Sequence, residues 1–179
     1  MLCHVTGANG IVGIEVTRAL SELAQVHGTD IGDMDVTNAE SVMATLKANP
    51  PDVIVHLAGL KGNLPSQQDP LKFFNVNTSG TLNLLEASRH LGVKQFVFFS
   101  SLTVHGPTPE PVVETSPMFP QHPYSGSKGA SESIVHAYAN AYGISSTIFR
   151  PNFIVTDIPA RPTITPPPAA TRRVTRVRR

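Results

Sequence analysis

Tyr124 and Lys128 stand four residues apart in the run Pro123-Tyr124-Ser125-Gly126-Ser127-Lys128. On a helix that spacing puts both side chains on one face. A free phenol titrates near ~10 and is a poor base at neutral pH, but a neighbouring ammonium favours the phenolate. The pair could therefore move a proton to or from a substrate hydroxyl. A second group of residues points to a partner for that chemistry. Thr6-Gly7-Ala8-Asn9-Gly10-Ile11-Val12-Gly13 directly follows the apolar run from Leu2 to Val5. Gly7 permits a tight turn, Gly10 lets the backbone approach a pyrophosphate, and Gly13 allows close packing of a helix on a strand. Phosphates would then sit at the helix N-terminus, where free N–H groups and the helix dipole favour anions.

The elements that must carry these residues alternate between short β-rich runs and helical periodicity. This alternation predicts a parallel sheet with crossover helices, an α/β fold. The strands are expected at 2–6, 26–30, 52–57, 94–100 and 145–150, and the helices at 11–25, 38–49, 70–91 and 127–142. Asn38 is the expected N-cap of the second helix, Pro50-Pro51 ends that segment, and Gly92 closes the third. Ser101 falls at the end of an apolar strand, where open α/β sheets bind their ligands, although capping of the strand end is the alternative role.

The chain has 179 residues, enough for one domain with a proper core. It contains no apolar run near the ~20 residues of a membrane span and no secretory leader pattern. Its one cysteine, Cys3, reads as a buried strand residue, which suits a reducing cytoplasm. Net charge is +1 overall, yet residues 153–179 hold six arginines and one aspartate. The remainder therefore sums to −4, which gives no case for nucleic-acid binding. The seven histidines lack ligand spacing, so no metal is expected.

Together the glycine turn and the Tyr-Lys pair resemble the extended short-chain dehydrogenase/reductase family, in particular its NAD-dependent epimerases and dehydratases of sugar nucleotides. Further segments carry the resemblance to about Asn152. His56-Leu57-Ala58-Gly59-Leu60-Lys61 is similar to the segment after the family's fourth strand, and its Ala-Gly-Leu-Lys is especially similar to UDP-glucose 4-epimerases. Asn75-Val76-Asn77-Thr78-Ser79-Gly80-Thr81 resembles a helix with a buried asparagine. Phe98-Phe99-Ser100-Ser101-Leu102-Thr103-Val104-His105-Gly106 resembles the strand that delivers a catalytic serine or threonine, and Arg150-Pro151-Asn152 the end of the sixth strand.

The resemblance implies a Rossmann-type doubly wound fold over residues 1–155 that binds NAD, with NADP the less favoured cofactor. Its implied cofactor contacts are Gly7, Asn9, Gly10, Ile11 and Gly13; Asp30, Asp35 and Val36; Leu57, Ala58, Gly59 and Lys61; and Asn77, Tyr124, Lys128 and Pro151. Asp30 would accept from the adenosine ribose hydroxyls and repel a 2′-phosphate, or else serve only as a turn aspartate in Gly28-Thr29-Asp30. Lys61 would reach phosphate or ribose, with a solvated loop lysine as the alternative. Ser101, Tyr124 and Lys128 are the implied catalytic residues, and Ser101, Thr103 and Asn152 would touch the sugar-nucleotide substrate. His56 and His105 end strands and read as core or rim histidines. The implied activity is that of an isomerase or oxidoreductase, either an epimerase/dehydratase or a NAD(P)H-dependent reductase, with a non-catalytic nucleotide-binding remnant as a further alternative. A homodimer is also implied.

Two departures from the family pattern stand out. Only Gln25 to Asp35 separates the first helix from Asp35-Val36, so the second strand–helix–strand passage is compressed. That layout is similar to dTDP-4-dehydrorhamnose reductases and GDP-fucose synthases. In addition, residues 156–179 carry five prolines and six arginines without hydrophobic periodicity. They read as a disordered tail where the family continues into a substrate lobe, as expected of a truncated or frameshifted member.

Overall fold

The computed structural model describes residues 1–155, so the expected tail lies outside the described residues. Five strands, β1 (Leu2–Thr6), β2 (Gln25–Thr29), β3 (Val53–His56), β4 (Gln95–Phe99) and β5 (Ser145–Phe149), form one sheet in the order β2-β1-β3-β4-β5. Every pairing is parallel, with Thr6 opposite both Thr29 and His56. The chain leaves β1 toward β2 on one side and reaches β3 on the other. A parallel α/β sheet opens its ligand crevice at that switch point, beyond the C-terminal ends of β1 and β3.

Helix α1 (Ile11–Ser21) joins β1 to β2, and α2 (Ala39–Ala48) returns to β3. Right-handed crossovers in opposite directions place these helices on opposite faces of the sheet. Helices α3 (Asn63–Gln68), α4 (Pro70–Phe74) and α5 (Gly80–Leu91) precede β4, and α6 (Pro123–Tyr142) precedes β5. The core lies on the α2, α5 and α6 face, where Ile54, Phe96 and Phe98 of the sheet meet Val42, Leu46, Leu84, Leu85 and Val135. Phe96 and Phe98 are fully buried, and each such side chain contributes roughly 1.5–3 kcal/mol.

The expected strands agree with these bounds to within one residue at most ends. Asn38 caps α2 by accepting from the Ser41 N–H at 3.0 Å, and Gly92 ends α5 with φ 69°. The compressed passage is also present, since a loop and α2 lead from β2 directly to β3. The strand ahead of Arg150 is thus the fifth, not the sixth.

The helices depart from expectation in four places. The helix expected over 11–25 ends at Ser21, because β2 already begins at Gln25. The helix expected from 127 begins at Pro123, because proline is tolerated in a first turn and Ser125 closes the entry by accepting from the His122 N–H at 3.1 Å. The helix expected over 70–91 is interrupted by a π turn, Asn75–Ser79, between α4 and α5. Short elements also fill stretches expected as loop, namely α3 and a 3₁₀ turn at Leu102–His105.

Candidate active site

The glycine turn is held by close backbone contact. Gly7 has φ +69°, and a Cβ there would lie 2.7 Å from the Ala58 N. A Cβ on Gly13 would lie 2.1 Å from the Gly7 carbonyl oxygen, so α1 packs against the turn at a distance that no side chain permits. Gly10 is the N-cap of α1, and no side chain caps the helix there. The first N–H groups of α1 therefore face the crevice mouth without a side-chain partner.

Two cavities flank this turn. One of about 310 Å³ is lined by Gly7, Gly10, Asp30, Asp35, Val36, Ala58 and Gly59, among others. The other, of about 430 Å³, is lined by residues that include Ile11, Leu57, Gly59, Lys61, Ser101, Tyr124, Lys128, Pro151 and Asn152. Leu57, Gly59 and Leu60 line both, so the two meet across the end of β3. Most of the residues singled out in the sequence are gathered here.

On the first side, Asp30 serves as the turn aspartate at the end of β2. Its carboxylate accepts from the Asn9 N–H at 3.0 Å and from the Ile31 N–H at 2.8 Å, which fastens the glycine turn to the end of β2. It also forms part of the cavity wall. Asp35 accepts from both the N–H and the hydroxyl of Thr37 through one oxygen, leaving the other uncommitted. Val36 is buried against Gly80, where an added Cβ would meet its Cγ2 at 2.8 Å.

On the second side, Ser101 is buried and shares a 2.9 Å hydrogen bond with the Thr103 hydroxyl. Thr103 lines an adjoining cavity of about 420 Å³ together with Asn152 and Ser125. Tyr124 is half-buried and packs edge-on against Phe73, with ring centres 6.3 Å apart. Lys128 is 6% exposed. Its ammonium donates to the Phe99 carbonyl at 2.8 Å and lies 4.8 Å from the Phe98 ring centre. Burial pulls this ammonium down to about 8, with the Glu132 charge acting the other way. Among the described residues no hydrogen bond joins the Tyr124 hydroxyl to Lys128 or Ser101. The shared helix face brings Tyr124 and Lys128 to one cavity rather than into direct contact.

Asn77 lies just outside the cavities and holds their shared wall. Its side chain accepts from the Leu60 N–H at 2.8 Å and donates to the Leu60 carbonyl at 3.1 Å and to Ser127 Oγ at 2.9 Å. The π turn makes this possible, because the Asn77 carbonyl is satisfied by the hydroxyls of Thr81 and Ser131. Ser127, Gly80 and Leu60 belong to this arrangement and were not singled out by spacing. Gly80, within Asn77-Thr78-Ser79-Gly80, was the detectable one, since a glycine inside a helix carries a cost. A bidentate pair of half-buried Arg150 with fully buried Glu132 ties the end of β5 to α6, with a closest approach of 2.6 Å. His105 is buried beside this pair and bonds the Pro117 carbonyl, while His56 is buried in the core.

Comparison with known proteins gives a consistent picture. The sequence model of the NAD dependent epimerase/dehydratase family matches residues 3–158. The UDP-glucose 4-epimerase of Lacticaseibacillus casei is 42% identical over 100 residues, which cover 55% of this chain and 30% of that protein. The UDP-glucose 4-epimerase of Thermus thermophilus, solved in complex with NAD, superposes with a TM-score of 0.79 at 30% identity, covering 84% of this chain and 54% of the other. The dTDP-4-dehydrorhamnose reductase of Bacillus anthracis str. Ames, solved in complex with NADP, gives 0.77 at 27% identity, covering 84% and 53%. The chain thus spans about a third of the first relative's length and about half of each solved one.

Proposed function

Because this chain belongs to the NAD dependent epimerase/dehydratase family, we propose that residues 1–155 form a domain that binds NAD across the two joined cavities and carries out hydride-transfer chemistry on a sugar nucleotide. The observation that carries the proposal is the meeting of the cavities at Leu57–Leu60, with the glycine cradle on one side and Ser101, Tyr124 and Lys128 on the other. The residues present fit such a cofactor. The space that a Cβ would fill at Gly7 and Gly13 is already taken by backbone, which leaves the turn's outer surface and the α1 N-terminus free for a pyrophosphate. Asp35 and Val36 would hold the adenine. The Asp30 carboxylate would accept from the ribose, and its charge supports NAD over NADP. Pro151, Lys61 and Lys128 would line the nicotinamide half, with Ile11 beside them.

The cofactor, when bound, supplies a hydride acceptor and donor. The chain's own residues do the rest. Tyr124 takes the proton of a sugar hydroxyl and returns it. Ser101 donates a hydrogen bond to the same oxygen and is steadied by Thr103. The Lys128 ammonium, one helical turn along α6, stabilises negative charge on the phenolic oxygen. Thr103 and Asn152 extend this site toward the substrate. An epimerase would take the hydride back on the other face of the sugar, whereas a reductase would release its product and exchange cofactor. Likeness to both UDP-glucose 4-epimerase and dTDP-4-dehydrorhamnose reductase keeps both outcomes within the proposal. Among the described residues no helix is long and apolar enough to cross a membrane, and the lone buried cysteine suits the cytoplasm. The homodimer implied by the family is part of this reading.

The test is titration of NAD and NADP into the purified chain by calorimetry, followed by turnover of UDP-glucose and UDP-galactose. Tyr124→Phe should leave NAD affinity within about threefold and lower turnover by roughly 10²–10⁴. Undiminished turnover in that variant would remove Tyr124 from its role.

A further inference from the structure

His56, at the end of β3, is fully enclosed, and both ring nitrogens are hydrogen-bonded. Nδ1 meets Thr6 Oγ1 at 2.8 Å, and Nε2 meets Thr81 Oγ1 at 3.1 Å. The partners fix where every proton lies. The Thr81 hydroxyl approaches the Asn77 carbonyl to 2.6 Å, an oxygen–oxygen distance that requires the threonine proton between them. Its one proton is thereby spent, so it can only accept from His56, and Nε2 must carry the hydrogen. With the ring neutral, Nδ1 is a lone pair that accepts from the Thr6 hydroxyl. Thr6 Oγ1 in turn accepts from the Ala58 N–H at 3.2 Å.

The result is a single directed chain from Ala58 N–H through Thr6, His56 and Thr81 to the Asn77 carbonyl. Its first member belongs to the segment shared by the two cavities, and its last grips Leu60 and Ser127. We propose that His56 is a positioning residue, locked as the neutral Nε2–H tautomer, that couples the Leu57–Lys61 wall to the Asn77 clamp and through it to the helix bearing Tyr124 and Lys128. Burial and the nearby Lys128 charge hold its imidazolium form down to about 3, in keeping with a ring that stays neutral. The link to cofactor binding rests on the function proposed above; the tautomer and the coupling do not.

The proposal is tested on the full chain by nitrogen-15 NMR of the histidine rings and by amide hydrogen exchange. At neutral pH His56 should show a protonated Nε2 and a bare Nδ1. His56→Leu should speed exchange at Ala58 and Leu60 at least tenfold while Val97, in the middle of β4, keeps its rate. His56→Gln retains a donor near the Nε2 position, so Ala58 should loosen while Leu60 stays protected. An Nδ1–H tautomer would overturn the proposal, as would unchanged exchange at both amides or an equal rise throughout the sheet. If His56→Leu does not fold, the tautomer in the parent and the split response of His56→Gln decide. NAD affinity should fall about tenfold in His56→Leu. A parent without NAD affinity would instead defeat the cofactor reading and leave the tautomer and exchange results standing.

Discussion

Replacing Lys128 with methionine should remove a pH dependence of stability that the buried ammonium imposes. Lys128 is 6% exposed, and burial lowers it from an ordinary 10.5 to about 8. Below pH ~8 both folded and unfolded chains carry this proton, and the fold bears the full cost of burying the charge. Between about 8 and 10.5 the unfolded chain binds more protons than the folded one, so stability rises with pH through that window. Roughly 2.5 pH units at about 1.4 kcal/mol each give a gain of about 3.5 kcal/mol. For a chain of this size that is ~7–14 °C in Tm.

Lys128→Met is close in shape, carries no charge and leaves the Phe99 carbonyl without its donor. Losing that partner costs about 1–3 kcal/mol, which nearly cancels the relief of the buried charge at pH 7. The variant should therefore match the parent at pH 7 to within about 2 kcal/mol, yet lack the parent's rise toward pH 10. Urea unfolding followed by circular dichroism at pH 7, 8, 9 and 10 measures both. Other lysines and tyrosines titrate in the same range, but they do so in both proteins, so the difference between the curves isolates position 128. Superimposable pH profiles would refute the reasoning, because the ammonium would then not be desolvated in the fold. NAD affinity should fall in the same variant, since the residue that makes the cavity costly is one that the cofactor would use.

Two further outcomes follow from close contacts and from the buried histidines. Gly13→Ala puts a methyl 2.1 Å from the Gly7 carbonyl and 2.8 Å from the Ala8 backbone, so α1 must shift. We expect a loss of about 1–3 kcal/mol by thermal melting and at least tenfold in NAD affinity by calorimetry, and a neutral result in both would mean that the helix does not rest on the turn. On the acid side, burial holds His4 at about 4, with the His27 charge adding to the effect, and holds His56 at about 3. The stability that comes from keeping these rings neutral is full above ~6.5 and is lost as pH falls below it, by about 1.4 kcal/mol per pH unit for each histidine. His4→Leu should flatten the urea midpoint between pH 6.5 and 4.5, and an unaltered slope would count against it.

Much of the fold was legible because a parallel sheet writes itself as alternating periodicities. Strands of four or five residues could be bounded closely, and the turn after β1 was visible because Gly7, Gly10 and Gly13 have different jobs at fixed spacing. Hydrogen bonding was what the sequence could not convey. A π turn and an α-helix share nearly the same apolar spacing, so Asn75–Ser79 was hidden inside one long helix. The turn depends on hydroxyls from Thr81 and from Ser131, 54 residues beyond Asn77. The early start of α6 was signalled by Pro123 and Ser125, but its apolar face begins only later.

The Tyr-Lys pair shows the limit of spacing most clearly. Four residues on a helix put Tyr124 and Lys128 on one side, yet where the ammonium points is set by the Phe99 carbonyl at the end of β4. Asp30 behaves alike: its position suited a ribose, while its carboxylate is also engaged by the Asn9 and Ile31 amides. In both cases the residue proposed to serve the cofactor is already held by main chain. Such prior bonding reduces the ordering required when a ligand arrives, since side chains already fixed lose little further entropy on binding. A buried lysine that donates to one carbonyl keeps two of its three protons uncommitted, and Asp35 keeps one oxygen. Lys128 and Asp35 each line one of the two cavities, so this spare polar capacity belongs to residues of the cavity walls.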